Sequence, residues 1–189
     1  MKPRLAVTLG DPAGIGPEVV LKALAGGDRR DRADITLIGD RACLEALMDR
    51  GIGDDLSDLA IINPTASSDN LATDCWGHPS PTTGAASFAW LQRAIAGCNS
   101  GEFDGVVTGP IAKAVWHSAG HVYPGQTEVL AAGAGVDRFA MAFLARSPHT
   151  GWPLRTLLAT THIPLAAVPT ALTPAVMDLK LDLLMQTLT

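Results

Sequence analysis

Short apolar runs that end in glycine and hand over to helical patterns recur from the first residues of this chain, and that alternation restricts the fold more than any other feature. Residues 5–9 read as a buried strand, the turn Gly10-Asp11-Pro12-Ala13-Gly14-Ile15-Gly16 follows, and a helix is expected over 17–25. Pro17 suits a first helical position because no N–H is needed there, and Glu18 faces the positive end of the helix dipole. Residues 35–38 repeat the theme, with Gly39-Asp40 turning into an amphipathic helix that runs through Met48. Strands joined through helices build a largely parallel sheet, so the fold class is α/β.

Further along, 51–81 is rich in Asp, Ser, Pro and Gly, and only 59–62 reads as a strand. Thr82 or Thr83 is expected to cap a helix reaching about residue 96, which Asn99-Ser100-Gly101 breaks. A strand over 104–108, helices over 111–118 and 127–132, a hairpin made of 139–145 and 154–159, and a terminal helix over 174–188 complete the reading. In that last helix Met177, Leu181, Leu184 and Leu188 stand at helical spacing, with an apolar face open to exposure.

Composition removes several function classes. The 189 residues suffice for a core without disulfides, and no run approaches the roughly 18 apolar residues of a membrane span, so a soluble chain is expected despite a mean hydropathy of +0.21. A net charge of −5 offers no basic field for a phosphodiester backbone, so nucleic-acid binding is disfavoured and any anion site must be local. Cys43, Cys75 and Cys98 form no CxxC pair and read as buried, reduced thiols. With no signal-like apolar segment behind Met1, cytoplasmic residence is the expectation.

Four segments can carry chemistry. The glycines of 10–16 follow G-x-x-x-G-x-G, which is neither the dinucleotide fingerprint nor a phosphate-binding P-loop, so they serve either a tight turn or a ligand loop at a strand-to-helix corner. Thr108-Gly109-Pro110-Ile111-Ala112-Lys113 forms a second corner, where Lys113 either solvates the surface or points at a carboxylate or phosphate. Gly125-Gln126-Thr127-Glu128 opens a helix with uncharged donors at its N-terminus, serving as a plain cap or an anion contact. Thr160-Thr161-His162-Ile163-Pro164 ends a strand expected to be buried, with a histidine available as metal ligand, acid or base, or structural residue. A G-x-S-x-G serine nucleophile is absent.

Together, Thr8 to Glu18, Thr108 to Lys113, Tyr123 to Glu128 and Thr160 to Leu165 resemble, in wording and order, the 4-hydroxythreonine-4-phosphate dehydrogenases of pyridoxal phosphate biosynthesis. The resemblance runs the length of this chain but covers only the N-terminal part of the family's longer sequence. It implies a three-layer, isocitrate/isopropylmalate dehydrogenase-like α/β fold with a mostly parallel sheet. Residues 1–125 would fall in a first domain and 126–189 would begin a second, incomplete relative to the family. It further implies a homodimer that oxidises a secondary hydroxyl of 4-phosphohydroxy-L-threonine with NAD or NADP. The resulting 3-oxo acid loses carbon dioxide to give 3-amino-2-oxopropyl phosphate, assisted by a divalent metal (Zn, Mg or Co) that stabilises the developing alkoxide.

By the same resemblance His162 matches the first of three metal histidines, Thr127 a substrate-contacting threonine, and Asp11 and Lys113 positions near the active site. Gln126 stands where the family usually has histidine; it can contact substrate through hydrogen bonds but cannot carry a proton or a charge. The motifs that hold the other two metal histidines do not follow His162, and Ser147-Pro148-His149-Thr150-Gly151, which echoes one of them, precedes it in the expected hairpin loop. Two alternatives stay open: a related dehydrogenase of a phosphorylated threonate or a dihydrodiol carboxylate, and a non-catalytic chain that binds ligand or pairs with a partner.

Overall fold

The computed structural model describes residues 1–25, 29–53, 57–64, 71 and 75–188. The chain divides into two compact units, Met1–Ala134 and Gly135–Thr189. The sequence reading divides it after residue 125.

In the first unit the order is β1 (Arg4–Thr8), α1 (Gly16–Leu24), α2 (Arg29–Arg32), β2 (Asp34–Ile38), α3 (Arg41–Met48), β3 (Ala60–Ile62), α4 (Pro81–Asn99), β4 (Gly105–Thr108), α5 (Lys113–Ser118) and α6 (Gln126–Gly133). The four strands form one parallel sheet in the order β3-β2-β1-β4, so the architecture is α/β as expected. In-register pairing aligns Thr8 with both Ile38 and Thr108, which brings the carboxyl ends of β1, β2 and β4 level. Crevices beyond such ends are where open α/β sheets hold ligands.

Helix α4 packs on β1, β2 and β4, and buries Ala86, Trp90, Leu91, Ala94 and Ile95. The core joins Ala86, Trp90 and Ala94 to Ala6, Leu9, Leu37, Ile38, Leu44 and Leu21. A smaller cluster of Leu91, Ile95, Trp116 and Val129 ties α5 and α6 to α4. Leu5, Val7 and Val107 share one face of the sheet, where they line an apolar groove of about 500 Å³ beside Val19, Val20 and Ala23 of α1.

Local sequence accounts for the element ends. Asp40 caps α3 by accepting the Ala42 N–H at 2.9 Å. Helix α4 corrects the sequence reading: its cap is Ser80, not Thr82 or Thr83. Pro81 needs no N–H donor and sets the first helical φ, which moves the cap back by one residue. Thr83 is then the reciprocal partner, its hydroxyl accepting the Ser80 N–H at 3.1 Å while Ser80 Oγ accepts the Thr83 N–H at 3.3 Å. The helix also runs to Asn99 rather than stopping near residue 96.

The second unit holds an antiparallel hairpin of β5 (Ala142–Arg146) and β6 (Pro153–Leu157), a 3-10 turn at Leu165–Ala167, α7 (Val168–Ala171) and α8 (Pro174–Leu188). None of its described residues is buried, with Phe143, Leu144, Trp152 and Leu154 among the exposed side chains of the hairpin. The expectation of a buried strand before His162 is not met among the described residues: β6 is exposed from Pro153 to Thr156 and half-buried at Leu157. Within the unit Arg138 pairs with Asp182 at 3.2 Å, and Lys180 Nζ donates to the Phe139 carbonyl at 2.9 Å. Of the expected apolar stripe of α8, Met177 and Leu181 are exposed and Leu184 is half-buried; Met185 is exposed as well, and the Leu188 side chain lies outside the described set.

Candidate active site

Three of the four sequence segments meet at one dipeptide, Gly109-Pro110. From the first corner, the Asp11 N–H donates to the Pro110 carbonyl at 2.9 Å. From the third, Gln126 Nε2 donates to the Gly109 carbonyl at 3.2 Å. The Gly109 N–H is itself held by the Thr8 carbonyl at 2.9 Å, with Thr8 Oγ1 at 3.3 Å. Thr8 is buried, so the junction sits on the sheet rather than on a free loop.

The closeness of these backbones explains the glycines of the first corner. Gly10 adopts φ +75°, and a Cβ there would lie 2.2 Å from the Pro110 oxygen. Asp11 is buried, and its Oδ1 accepts the Ala13 N–H at 2.9 Å, closing a small turn that the Gly14 N–H to Asp11 carbonyl bond completes at 3.0 Å. The observed role of Asp11 is thus to shape the corner.

Lys113 is the first residue of α5 rather than one turn into it, because Ala112 remains extended. Its side chain is exposed and lies alongside Gly125: the Cβ position of that glycine would be 3.6 Å from Lys113 Nζ and 3.4 Å from Glu128 Oε2. The second and third corners therefore share a charged rim of one ammonium and one carboxylate. Gly125 is the residue before α6, Gln126 and Thr127 open that helix, and Glu128 lies in its first turn. Gln126 Oε1 is buried and accepts no hydrogen bond, an unmet acceptor beside the junction.

The loop leading to Gln126 is fixed from behind. Trp116, fully buried, donates its indole N–H to Ser87 Oγ at 2.7 Å, and Phe88 meets Trp116 edge-on at 5.2 Å while stacking on His121 at 3.7 Å. His117 Nε2 lies 3.2 Å from the Tyr123 carbonyl. These aromatic supports, the Glu128 rim and the shared Gly109-Pro110 seat were not singled out from sequence. Glu128 was legible as the last letter of Gly-Gln-Thr-Glu; the others depend on tertiary packing.

His162 belongs to the second unit, where it is exposed in the bend after β6. Its φ of +56° makes it the only non-glycine residue with positive φ among the described residues. Such an outlier in a non-glycine residue is a recognised mark of functional positions. Among the described residues no group of three His, Cys, Asp or Glu side chains is placed to hold a metal, so these residues do not by themselves make a metal centre. His149 stands in the β5–β6 turn, where the His149 and Thr150 N–H groups donate to Ser147 Oγ.

A parallel α/β sheet whose strand-to-helix corners converge beyond the carboxyl ends of its strands has the architecture in which open α/β proteins place their ligand sites. The family model described as "Pyridoxal phosphate biosynthetic protein PdxA" matches residues 31–189. The chain belongs to that family. A 4-hydroxythreonine-4-phosphate dehydrogenase of Synechocystis sp. is 54% identical over 188 residues, covering 97% of this chain and 54% of the relative. One from Synechococcus sp. is 52% identical over 192 residues, covering 98% of this chain and 55% of the relative. Among solved structures, the 4-hydroxythreonine-4-phosphate dehydrogenase of Klebsiella pneumoniae superposes with a TM-score of 0.81 at 27% identity, covering 100% of this chain and 59% of that one. This chain therefore spans about half the length of the relatives it matches.

Proposed function

We propose that this chain serves the NAD(P)-dependent oxidation and decarboxylation of 4-phosphohydroxy-L-threonine to 3-amino-2-oxopropyl phosphate, in the biosynthesis of pyridoxal phosphate. The observation that carries this reading is the 54% identity to a dehydrogenase of that name across nearly the whole chain. In this reading Gln126 and Thr127 contact the substrate, with Gln126 Oε1 available to accept a hydrogen bond from a ligand hydroxyl or ammonium. Lys113 supplies a positive charge at the rim for a carboxylate or phosphate, and Asp11 keeps the first corner in shape. His162 is one ligand of a divalent metal whose remaining donors lie outside the described residues. The protein would act in the cytoplasm as a homodimer; no helix among the described residues is long and apolar enough to cross a membrane.

A second reading keeps the fold and changes the substrate. Gln126 cannot become a cation, so a phosphorylated threonate or a dihydrodiol carboxylate fits the crevice if that position hydrogen-bonds a neutral group. A substrate panel separates the two. Cofactor reduction is followed with NAD and NADP, in zinc, magnesium or cobalt, while binding of each substrate is measured by calorimetry. The 189-residue chain is expected to bind 4-phosphohydroxy-L-threonine without reducing either cofactor, and Gln126→Leu and Lys113→Ala are expected to weaken that binding. Preference for a threonate phosphate or a dihydrodiol carboxylate selects the second reading. Binding of none of them refutes both, and metal-dependent turnover by this chain overturns the assignment of metal donors beyond it.

A further inference from the structure

The sulfur atoms of Cys43 and Cys75 converge on one backbone oxygen. Cys43, in the first turn of α3, donates to the Leu71 carbonyl at 3.3 Å, and Cys75 donates to the same oxygen at 2.6 Å. The two distances place the sulfurs within about 6 Å of each other. Both residues are buried and neither is in a disulfide.

Cys75 also touches the first corner. Its Sγ lies 3.6 Å from the Pro12 carbonyl, and two residues on, the Gly77 N–H donates to the Ala13 carbonyl at 2.9 Å. Between them Trp76 lies under the Arg50 guanidinium, 4.1 Å from its ring centre. The segment 75–77 thus braces the loop that carries Asp11, and Cys43 anchors that brace to α3.

We propose that Cys43 and Cys75 form a reversible disulfide when the protein meets a peroxide, a modification site that fastens α3 to the brace of the first corner. Cys75 is the attacking group. The adjacent Cys43 side chain holds its thiol below the ordinary cysteine range, whereas the Cys75 side chain, followed by burial, pushes the Cys43 thiol up. The Cys75 thiolate attacks one peroxide oxygen, so that an S–O bond forms, the O–O bond breaks, and hydroxide leaves and takes up a proton. The Cys43 sulfur then attacks Cys75 sulfur; the S–S bond forms, the S–O bond breaks, and water leaves with the Cys43 proton. Two thiols are oxidised by two electrons while one hydrogen peroxide is reduced to two waters.

A loop of about 30 residues is closed by this bond, and closure of that size restrains local opening of the joined segments. Formation also withdraws Cys75 from the Leu71 oxygen, so the state of the pair is felt at 10–16 through Pro12 and Ala13.

The test treats the intact chain with hydrogen peroxide, alkylates the remaining thiols and maps the peptides by mass. The expected product is an intramolecular Cys43–Cys75 link, two hydrogens lighter, reversed by dithiothreitol, with Cys98 alkylated. Hydrogen exchange of peptides spanning 10–16 and 75–78 should slow about tenfold on oxidation. Cys75→Ser should abolish both effects and Cys98→Ser neither. A link through Cys98, sulfinic acid at Cys75 without a link, no reaction, or a link without an exchange change would each overturn the proposal. Peptide mapping of the unsubstituted chain decides the first three whether or not the serine variants fold.

Discussion

Replacing Gly10 by alanine tests whether the crevice is held by direct backbone contact between the first and second corners. Two costs add at this position. The φ of +75° penalises any L side chain by about 1–2 kcal/mol. The new Cβ would also sit 2.2 Å from the Pro110 oxygen, 2.8 Å from the Gly109 carbonyl carbon and 2.9 Å from the Pro110 nitrogen, all backbone atoms that cannot rotate away. Relieving that overlap means moving Gly109-Pro110 by about an ångström, which stretches the 2.9 Å Asp11 and 3.2 Å Gln126 hydrogen bonds, each contributing roughly 0.5–1.5 kcal/mol. The total is about 2–5 kcal/mol. Gly51 supplies the control, because its φ is +78° but a Cβ there meets nothing within 4 Å; Gly51→Ala should cost only the conformational part, about 1–2 kcal/mol. Urea unfolding followed by tryptophan fluorescence, in a Trp152→Phe background that restricts the signal to the first unit, compares the two. With a slope near 2 kcal/mol per molar, the Gly10 variant should lose about 2 M in midpoint. Equal losses for the two variants would refute the contact argument.

The remaining predictions concern the supports of the site. Ser87→Ala leaves the buried Trp116 indole N–H without an acceptor and should cost about 1–3 kcal/mol; in a Trp116→Phe background the same change should cost about 1 kcal/mol less, and an additive double-mutant cycle would contradict the pairing. At the other end of the sheet, the Arg4 side-chain and backbone N–H groups hold the Asp104 carboxyl down to about 2, against an ordinary 3.8. Its contribution to stability is complete above pH 3.8 and disappears as the pH falls through about 2, so the Asp104 carboxyl carbon should titrate near 2 by NMR, and Asp104→Asn should flatten stability across that window. Titration near 3.8 would show that the pair does not form in solution.

Much of the fold was legible because β1, β2 and β4 are short apolar runs and because Pro17 and Asp40 stand at helix starts, Pro17 one place further in than expected, behind Gly16. The first error at a helix start came from Pro81: read as part of the loop, it moved the cap to Thr82 or Thr83, whereas a proline at the first helical position assigns the cap to Ser80. The second came from β6, whose Leu154 and Leu157 promised burial that no described neighbour provides. At the candidate site, motif wording singled out Gln126 and Lys113. It did not reveal that Gln126 spends its amide N–H on Gly109 or that Lys113 lies beside Gly125, since both follow from how separate corners dock. The Cys43–Cys75 pair was equally hidden: residues far apart in the chain meet only because α3 and the segment ending at Cys75 share the Leu71 oxygen.

The peptide between Gly109 and Pro110 also has a mechanical meaning. Its own carbonyl, that of Gly109, is held by the side chain of Gln126, and the next carbonyl along, that of Pro110, by the backbone N–H of Asp11. Turning that peptide would break the Gln126 bond, and the Pro110 ring, which fixes φ, opposes the turn. The three corners are consequently fastened to one another through two adjacent carbonyls, so that a shift of any one of them pulls on the other two.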